Sequence, residues 1–470
     1  MFTIVDIVLE ANPNNFELLC ERVSALALKE DPKTTNALSF LRLKQIDQLH
    51  FMSLQIFRDR HYDPLLVFEN NFDGDSDSYW QAVLQQIGDE LRGIFACTKP
   101  AIDSRWADLF EDGSTKSLVP FIRKFSVSPS AQHFGAVGLT ALRIKRDQSV
   151  FATIQSALGD SAEAFRGKTS VDAHKELRAS VLQKLLPTYP ELAESGQRTV
   201  GQERLFFRLA AILRFVPFVI LVLAGLALIP TLVFLCFSQF LLNHGHVGAC
   251  WTLLSLFVSL GILFSLGLGF WIALRSLEKT DMTQDDPALD TAQLEAFAAQ
   301  EDQIVQNHLA SMVLVKPGAL RGAVIRVALR VLKQAVPVLY ANGYLSTMRT
   351  IHFAHWTLVG NTGRLMFLSN FDGSWQSYLD DFVDKAHEGL TLAWGNCVGF
   401  PPTKNLVQQG ATHGRQFKAW ARQSQTQNIL WYSAYADLTV NQVLRNGTIV
   451  DGIRKSSMTK AEADAWVQLL

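Results

Sequence analysis

Cysteine is sparse in this sequence and follows no pattern. Cys20, Cys97, Cys236, Cys250 and Cys397 are scattered, with no Cys-x-x-Cys pair. That spacing excludes a disulfide framework and a cysteine-based zinc site. Charge of one sign is also lacking: 43 Lys and Arg stand against 44 Asp and Glu, for a net charge of -1. A nucleic-acid binder is expected to carry a basic excess, so no nucleic-acid partner is expected here. No HExxH, GxSxG or P-loop occurs, and no GxGxxG falls in a fitting context. The chain therefore announces no metalloprotease, hydrolase or nucleotide chemistry. Its start, MFTIVDIVLEANP, lacks the basic and apolar regions of a signal peptide.

The most informative absence is in mid-chain. Phe215 to Leu274 contains no Asp, Glu, Lys or Arg over sixty residues. A spanning helix needs about 20 apolar residues, so the run holds two, joined by a polar turn at Asn243–Gly248. Arg198, Arg204, Arg208 and Arg214 precede it, and Arg275 and Lys279 follow it; the turn has no Lys or Arg. The positive-inside rule then places both flanks and both termini in the cytoplasm, as for a bacterial inner-membrane protein. The lipid bilayer is the first expected partner.

The flanking segments share a pattern. Phe2–Ala11 reads as a strand, Phe16–Lys29 as a helix, Leu49–Phe57 and Leu65–Asn71 as strands joined by RDRHYDP, Ser78–Phe95 as a helix, and His133–Ile144 as a strand. After the hairpin, Asn307–Val315 reads as a strand, Leu320–Leu339 as a helix, Ile351–Leu358 and Arg364–Asn370 as strands, Ser377–Gly389 and Phe417–Gln423 as helices, and Asn428–Tyr435 as the closing strand. Each order is the split βαβ of a ferredoxin-like module. Asn71–Tyr79 (NFDGDSDSY) matches Asn370–Tyr378 (NFDGSWQSY) at six of nine positions; His50-Phe51 matches His352-Phe353, and Pro13 matches Pro317. Three anchors in one order imply an internal duplication. The expected fold class is α+β: two tandem ferredoxin-like modules, with a two-helix transmembrane hairpin inserted between them. The expected divisions are a first module at 1–150, a helical connector at 151–204, the hairpin at 205–277, an acidic linker at 278–303 and a second module at 304–470.

Two readings of NFDG stay open. Asn, Asp and Gly close turns, and the following Ser caps a helix, so one reading of the motif is a strand-to-helix turn. Alternatively, Asp73 or Asp372 is a buried acid at a strand end. His352 and His355, three apart on a strand, point to opposite faces and make a poor chelating pair. His387 and His413 are other single-ligand candidates. Aromatics such as Trp356, Trp375, Trp394 and Trp420, with the loop Leu392–Pro402, make the second half the choice for a site, either as a filled core or as an apolar cavity.

QNHLASMVLVKPG, TIHFAHW, FLSNFDGSWQSYLDDF and ILWYSAYADLTV resemble a family of uncharacterised bacterial membrane-anchored proteins over most of Gln306–Arg454. More distantly, paired ferredoxin-like modules resemble the dimeric α+β barrel superfamily, which includes the dye-decolourising peroxidases. Those enzymes bind haem and carry Gly-x-x-Asp-Gly; here Ser369 stands in place of the first Gly, before Asp372-Gly373. The resemblance implies haem as cofactor, Asp372 as the acid and His352, His387 or His413 as the iron ligand. Three functions are thus expected to compete: a membrane-anchored binder of a small molecule, lipid or partner; a haem-dependent oxidoreductase; and an enzyme acting on a membrane lipid. A homo-oligomer is compatible with each.

Overall fold

The computed structural model describes residues 2–30, 41–59, 62–111, 113–160, 167–194, 196–246, 248–281, 291–339, 348–360 and 363–470. Residues 60–61 of the RDRHYDP turn and 282–290 of the acidic linker lie outside them. The fold is mixed α+β, built on two antiparallel five-stranded sheets with two long apolar helices.

The first half supplies β1 (Phe2–Glu10), helix α1 (Phe16–Glu30), β2 (Leu49–Phe57), β3 (Leu65–Asp73), α2 (Ser76–Phe95), α3 (Val119–Phe125), β4 (Ser126–Val127), β5 (Ala131–Phe134), α4 (Ala141–Asp160) and α5 (Ser170–Leu185). The membrane-type helices are α6 (Val200–Asn243) and α7 (Ala249–Thr280). The second half supplies α8 (Thr291–Gln300), β6 (Gln306–Leu314), α9 (Ala319–Leu339), β7 (Ile351–Val359), β8 (Arg364–Asp372), α10 (Trp375–Lys385), α11 (His387–Trp394), a hairpin of β9 (Thr403–Lys404) and β10 (Gln408–Gln409), α12 (Gly414–Ser424), β11 (Gln425–Thr426), β12 (Leu430–Ser433), α13 (Val440–Arg454) and α14 (Lys460–Val467).

One sheet runs β12-β2-β3-β1-β4 and the other β5-β7-β8-β6-β11. Each half closes its own four strands with a two-residue strand, β4 or β11. Each then sends one further strand to the other half's sheet. Ala131 pairs with Trp356 and Phe134 with Phe353, while Leu430 pairs with Leu54 and Ser433 with Phe51. This corrects the expectation that His133–Ile144 and Asn428–Tyr435 close their own modules. The first of those segments also leaves the strand at Phe134. Gly138 then adopts φ +81°, and a helix begins at Ala141. The divisions at 204 and 277 fall inside α6 and α7. The single helix expected over Ser377–Gly389 breaks at Ala386, where φ is -138°.

The central strands are buried on both faces, and this sorts their side chains by parity. Val5, Ile7 and Leu9 face α1–α3 together with Met52, Leu54, Ile56, Leu66 and Phe68. Leu309, Val313, Ala354, Trp356, Leu365 and Phe367 face the helices of the second half. The intervening residues meet between the sheets, where Phe57, Leu65 and Val67 pack on Val359, Met366 and Leu368. Trp356, Trp375, Trp394, Phe400, Phe417 and Trp420 form a packed core beneath α10–α12. The aromatic richness of the second half is therefore core.

Gly135 shows how closely the exchanged strand is seated. Its N–H donates to the His352 carbonyl at 2.9 Å, and a Cβ there would lie 2.0 Å from the Ile351 oxygen. Gly135→Ala is expected to cost about 2–3 kcal/mol, seen as a lower melting temperature. An unchanged melting temperature would mean that this approach is not tight. Ala434 makes the matching bond to the His50 carbonyl at 2.9 Å, so Ala434→Gly is the mild control.

Both α6 and α7 are long and apolar enough to cross a membrane. Leu221, Leu223, Phe257 and Phe264 are exposed along them. Both feet are braced against the sheets' helices. The first N–H of α6, at Val200, donates to Asp451 Oδ2 at 2.6 Å. At the end of α7, Glu278 accepts from the backbone N–H of Asn405 (3.0 Å) and Leu406 (2.9 Å), whose φ values are 53° and 68°. Asp281 follows, paired with Lys316 at 2.8 Å and Arg321 at 2.7 Å.

Candidate functional site

The two NFDG turns sit in the same structural position. In each sheet the ladder has a bulge at the histidine, between Leu49 and Phe51 or between Ile351 and Phe353. The bulge turns His50 and His352 toward the strand-end aspartates. His50 Nε2 donates to Asp73 Oδ2 at 3.0 Å, and His352 Nε2 donates to Asp372 Oδ1 at 2.7 Å. Each aspartate also accepts a helix-terminal N–H at 2.7 Å, from Ala141 of α4 or Val440 of α13. Negative charge is favoured at a helix N-terminus. Each aspartate thus holds down the helix that follows the exchanged strand. The rest of the motif is structural too. Phe72 stacks on Tyr79 at 3.7 Å, and Phe371 on Tyr378 at 3.9 Å. The tyrosine hydroxyls bond Asn70 (2.7 Å) and Ser369 (2.6 Å).

The two turns meet at Tyr435, whose ring lies 5.7 Å from His50 and 5.8 Å from His352. Its hydroxyl donates to His50 Nδ1 at 2.8 Å. Burial, then the nearby Asp73 and Asp372, push its phenol well above the ordinary range, so it stays protonated. The result is a Tyr–His–Asp relay in one half and a His–Asp pair in the other. His352 Nδ1, Gln306 Oε1 and Asp73 Oδ1 are buried without hydrogen-bond partners among the described residues.

A second polar cluster lies deeper between the sheets; of its members only His355 and the Asn71 and Asn370 of the NFDG repeat stand out in the sequence. His308 Nε2 donates to Glu69 Oε2 at 2.7 Å, with both side chains fully buried. His355 Nε2 bonds Asp6 at 3.0 Å, and its Nδ1 stands 3.9 Å from Glu69 Oε1. Ser53, Asn71 and Asn370 also donate to Glu69, and Thr357 to Asp6. Burial alone would raise the Glu69 carboxyl; His308 first, then His355 and Asn71, overcome that and hold it at about 2. Burial works against the charged form of His355, but Asp6 and then Glu69 carry its pKa above the ordinary value. The missed signal was parity. Ser53/Gln55, Glu69/Asn71 and His355/Thr357 alternate as surface residues would, but here the alternate face is the space between the sheets.

The signs of these shifts give a pH profile. Glu69 stabilises the fold above its ordinary 4.5, and that contribution is lost as pH falls toward 2. His355 stabilises below its ordinary 6.5, and that contribution is lost as pH rises through its higher folded value. Melting temperature is expected to peak between these limits. His355→Asn should flatten the alkaline limb, and an unaltered limb would place that titration elsewhere.

The residues expected to bear chemistry do not converge. Asp372 and His352 are together, but both carboxylate oxygens are engaged and the imidazole Nε2 is taken. His387 opens α11 and His413 precedes α12; both are half-buried, with one ring nitrogen unpartnered among the described residues. Among the described residues no cluster of His, Cys, Asp and Glu is placed to hold a metal ion. His352 is buried, with its ring beside those of Phe51 and Tyr435.

Open space lies elsewhere. A cleft of about 910 Å³ separates the ends of β2 and β6 and is bordered by α8. Ile56, Phe57, Met312 and Ala296 of α8 line it, with the charged Arg58, Asp59, Asp63 and Arg364 and the amides Gln293 and Gln425. It exists because the added strands are short: β12 reaches only Leu54 on β2, and β11 reaches only Ser311 on β6. Compared with family models, curated proteins and solved structures, the chain matches none.

Proposed function

We propose that this chain is a membrane-anchored, cytoplasmic-facing binding protein, built from two ferredoxin-like modules that arose by duplication and pair as one α+β barrel unit. The four-strand orders β4-β1-β3-β2 and β11-β6-β8-β7, the shared bulge and the paired His–Asp contacts support the duplication. One observation carries the binding reading: the buried acids and histidines between the sheets are engaged with one another, while the large opening at β2, β6 and α8 carries no such machinery. Apolar side chains such as Phe57 and Met312 stand there beside Arg58, Asp59, Asp63 and Arg364, a mixture that suits a small ligand with both apolar and charged groups. Leu314 on the cleft stands two residues before Lys316, which pairs with Asp281 just past the end of α7, so an occupant would sit near the foot of the proposed membrane anchor.

Filling the cleft tests this. Ala296→Trp is expected to leave melting temperature nearly unchanged and to abolish stabilisation by compounds that raise it in the parent chain. Compounds that stabilise both proteins equally would overturn the assignment to this cleft. A spectrum of protein expressed with haem precursor is expected to show aromatic absorption alone. A Soret band lost in a His352, His387 or His413 variant would restore the peroxidase-like alternative.

A further inference from the structure

No acid occurs from Arg204 to Leu277 or from Gln303 to Phe371, and the second stretch carries seven Lys and Arg. Helix α9 lies in it and packs beside α6. Val324, Ile325, Ala328 and Leu329 bury one face of α9, leaving Arg326, Val327, Arg330 and Val331 on the exposed side. The part of α6 that precedes the apolar run is similar: Leu205, Leu209 and Leu213 are exposed, with Arg208 and Arg214 among them. Other exposed arginines are paired with acids, Arg123 with Asp77 and Arg105 with Asp103, or occupied otherwise, as Arg58 is by Cys20 and Phe16. Arg208, Arg214, Arg326 and Arg330 have no carboxylate partner among the described residues.

We propose that this α6–α9 surface docks on the anionic phospholipid headgroups of the leaflet from which α6 enters. The inference rests on the membrane-anchored reading and adds the lipid class. Guanidinium groups bind phosphate oxygens in a planar, two-point geometry. Basic residues beside a span gain from the negative leaflet potential. The interleaved Val and Leu side chains suit the boundary between headgroups and acyl chains. They favour a bilayer over a nucleic acid, which would be met by arginine without an apolar stripe. By contrast, Lys316 and Arg321 at the start of α9 are consumed by Asp281. Of the basic groups on α9 and just before it, Lys316 and Arg321 thus fix the helix to the end of α7, Lys333 donates to the Pro129 carbonyl, and Arg326 and Arg330 are left to the lipid.

The test uses the full chain in mixed micelles of equimolar phosphatidylglycerol and phosphatidylcholine, with co-purifying lipid measured by native mass spectrometry. The wild type is expected to retain the anionic lipid with a preference on the order of tenfold, and Arg326→Gln/Arg330→Gln to lose most of it. Arg105→Gln/Arg123→Gln, at exposed arginines of the first half that have acid partners, should keep it. Equal retention by both double variants, or no preference in the wild type, overturns the proposal. A fold control is the melting temperature in phosphatidylcholine nanodiscs, which Arg326→Gln/Arg330→Gln should leave unchanged. A polarity-sensitive dye on Val327→Cys, in a background without the native cysteines, should shift to the blue when phosphatidylglycerol is added to the nanodisc; no shift overturns the docking. Release of the wild type from membranes by alkaline carbonate would sink the anchored reading itself. Resistance to carbonate without anionic preference would sink only this one.

Discussion

Glu69→Ala is expected to destabilise the fold by about 3–5 kcal/mol, because it strips a buried ion pair of one partner. The loss falls on more than one group. His308 keeps only its bond to Asn428, at 2.8 Å. His355 loses one of its two carboxylates, and Ser53, Asn71 and Asn370 lose an acceptor. The two halves offer a rescue. In the aligned registers Glu69 corresponds to Leu368 and His308 to Ile4. Glu69→Leu/His308→Ile therefore gives each position the apolar residue that stands at its equivalent in the other half. Replacing a buried pair by packed hydrophobic residues is often neutral, so the double variant should recover part of the loss, with the stranded donors keeping the recovery incomplete. Denaturant titration followed by tryptophan fluorescence measures both. A double variant no better than Glu69→Ala would show that the pair is not the source of the loss.

Asp372→Ala is the second large effect, expected at about 3 kcal/mol from one charged bond to His352 and one helix-terminal N–H left unmet. Asp372→Asn separates the two. Its oxygen still accepts from Val440, and its amide can donate to a His352 ring nitrogen if the imidazole changes tautomer. The Asn variant should therefore retain most of the stability. Asp73→Ala should behave alike, since Asp73 holds Ala141 in the same way. If Asp372→Ala melted like the wild type, the turn would not be structural, and the reading of Asp372 as a reactive acid would gain ground. The two aspartates acting alike matters more than either value, because one catalytic centre would not need both.

The strands that carry the fold were legible because their residues are β-branched or aromatic and their breaks fall at Pro13, Pro317, Gly74 and Gly373. The NFDG repeat was legible as a turn, and the Asp–helix contact gives it a physical reason. The closing strands were not legible. Ser126–Val127 and Gln425–Thr426 are too short for any period to show. No local signal says that Ala131–Phe134 belongs beside β7, since sequence pattern fixes a strand but not its neighbour. The buried acids Asp6 and Glu69 were hidden for a related reason. A polar residue at alternate positions ordinarily marks a solvated face, and only a second sheet facing the first makes that face an interior. His352 is marked by its place in a repeat; His308, which bonds Glu69 at 2.7 Å, is not.

The exchange of strands also fixes an order of events during synthesis. The first sheet has its edge on β2 uncovered until Leu430–Ser433 emerges from the ribosome, after α6 and α7 have already been made. A nascent chain in that state exposes β2 as an unpaired edge, the kind of surface on which chains aggregate. If the hairpin enters a bilayer, as proposed, the chain leaves free solution before that edge is sealed. The membrane would then serve as a holding site for a half-built protein, and a chain truncated before Leu430 would remain a tethered intermediate with one open sheet.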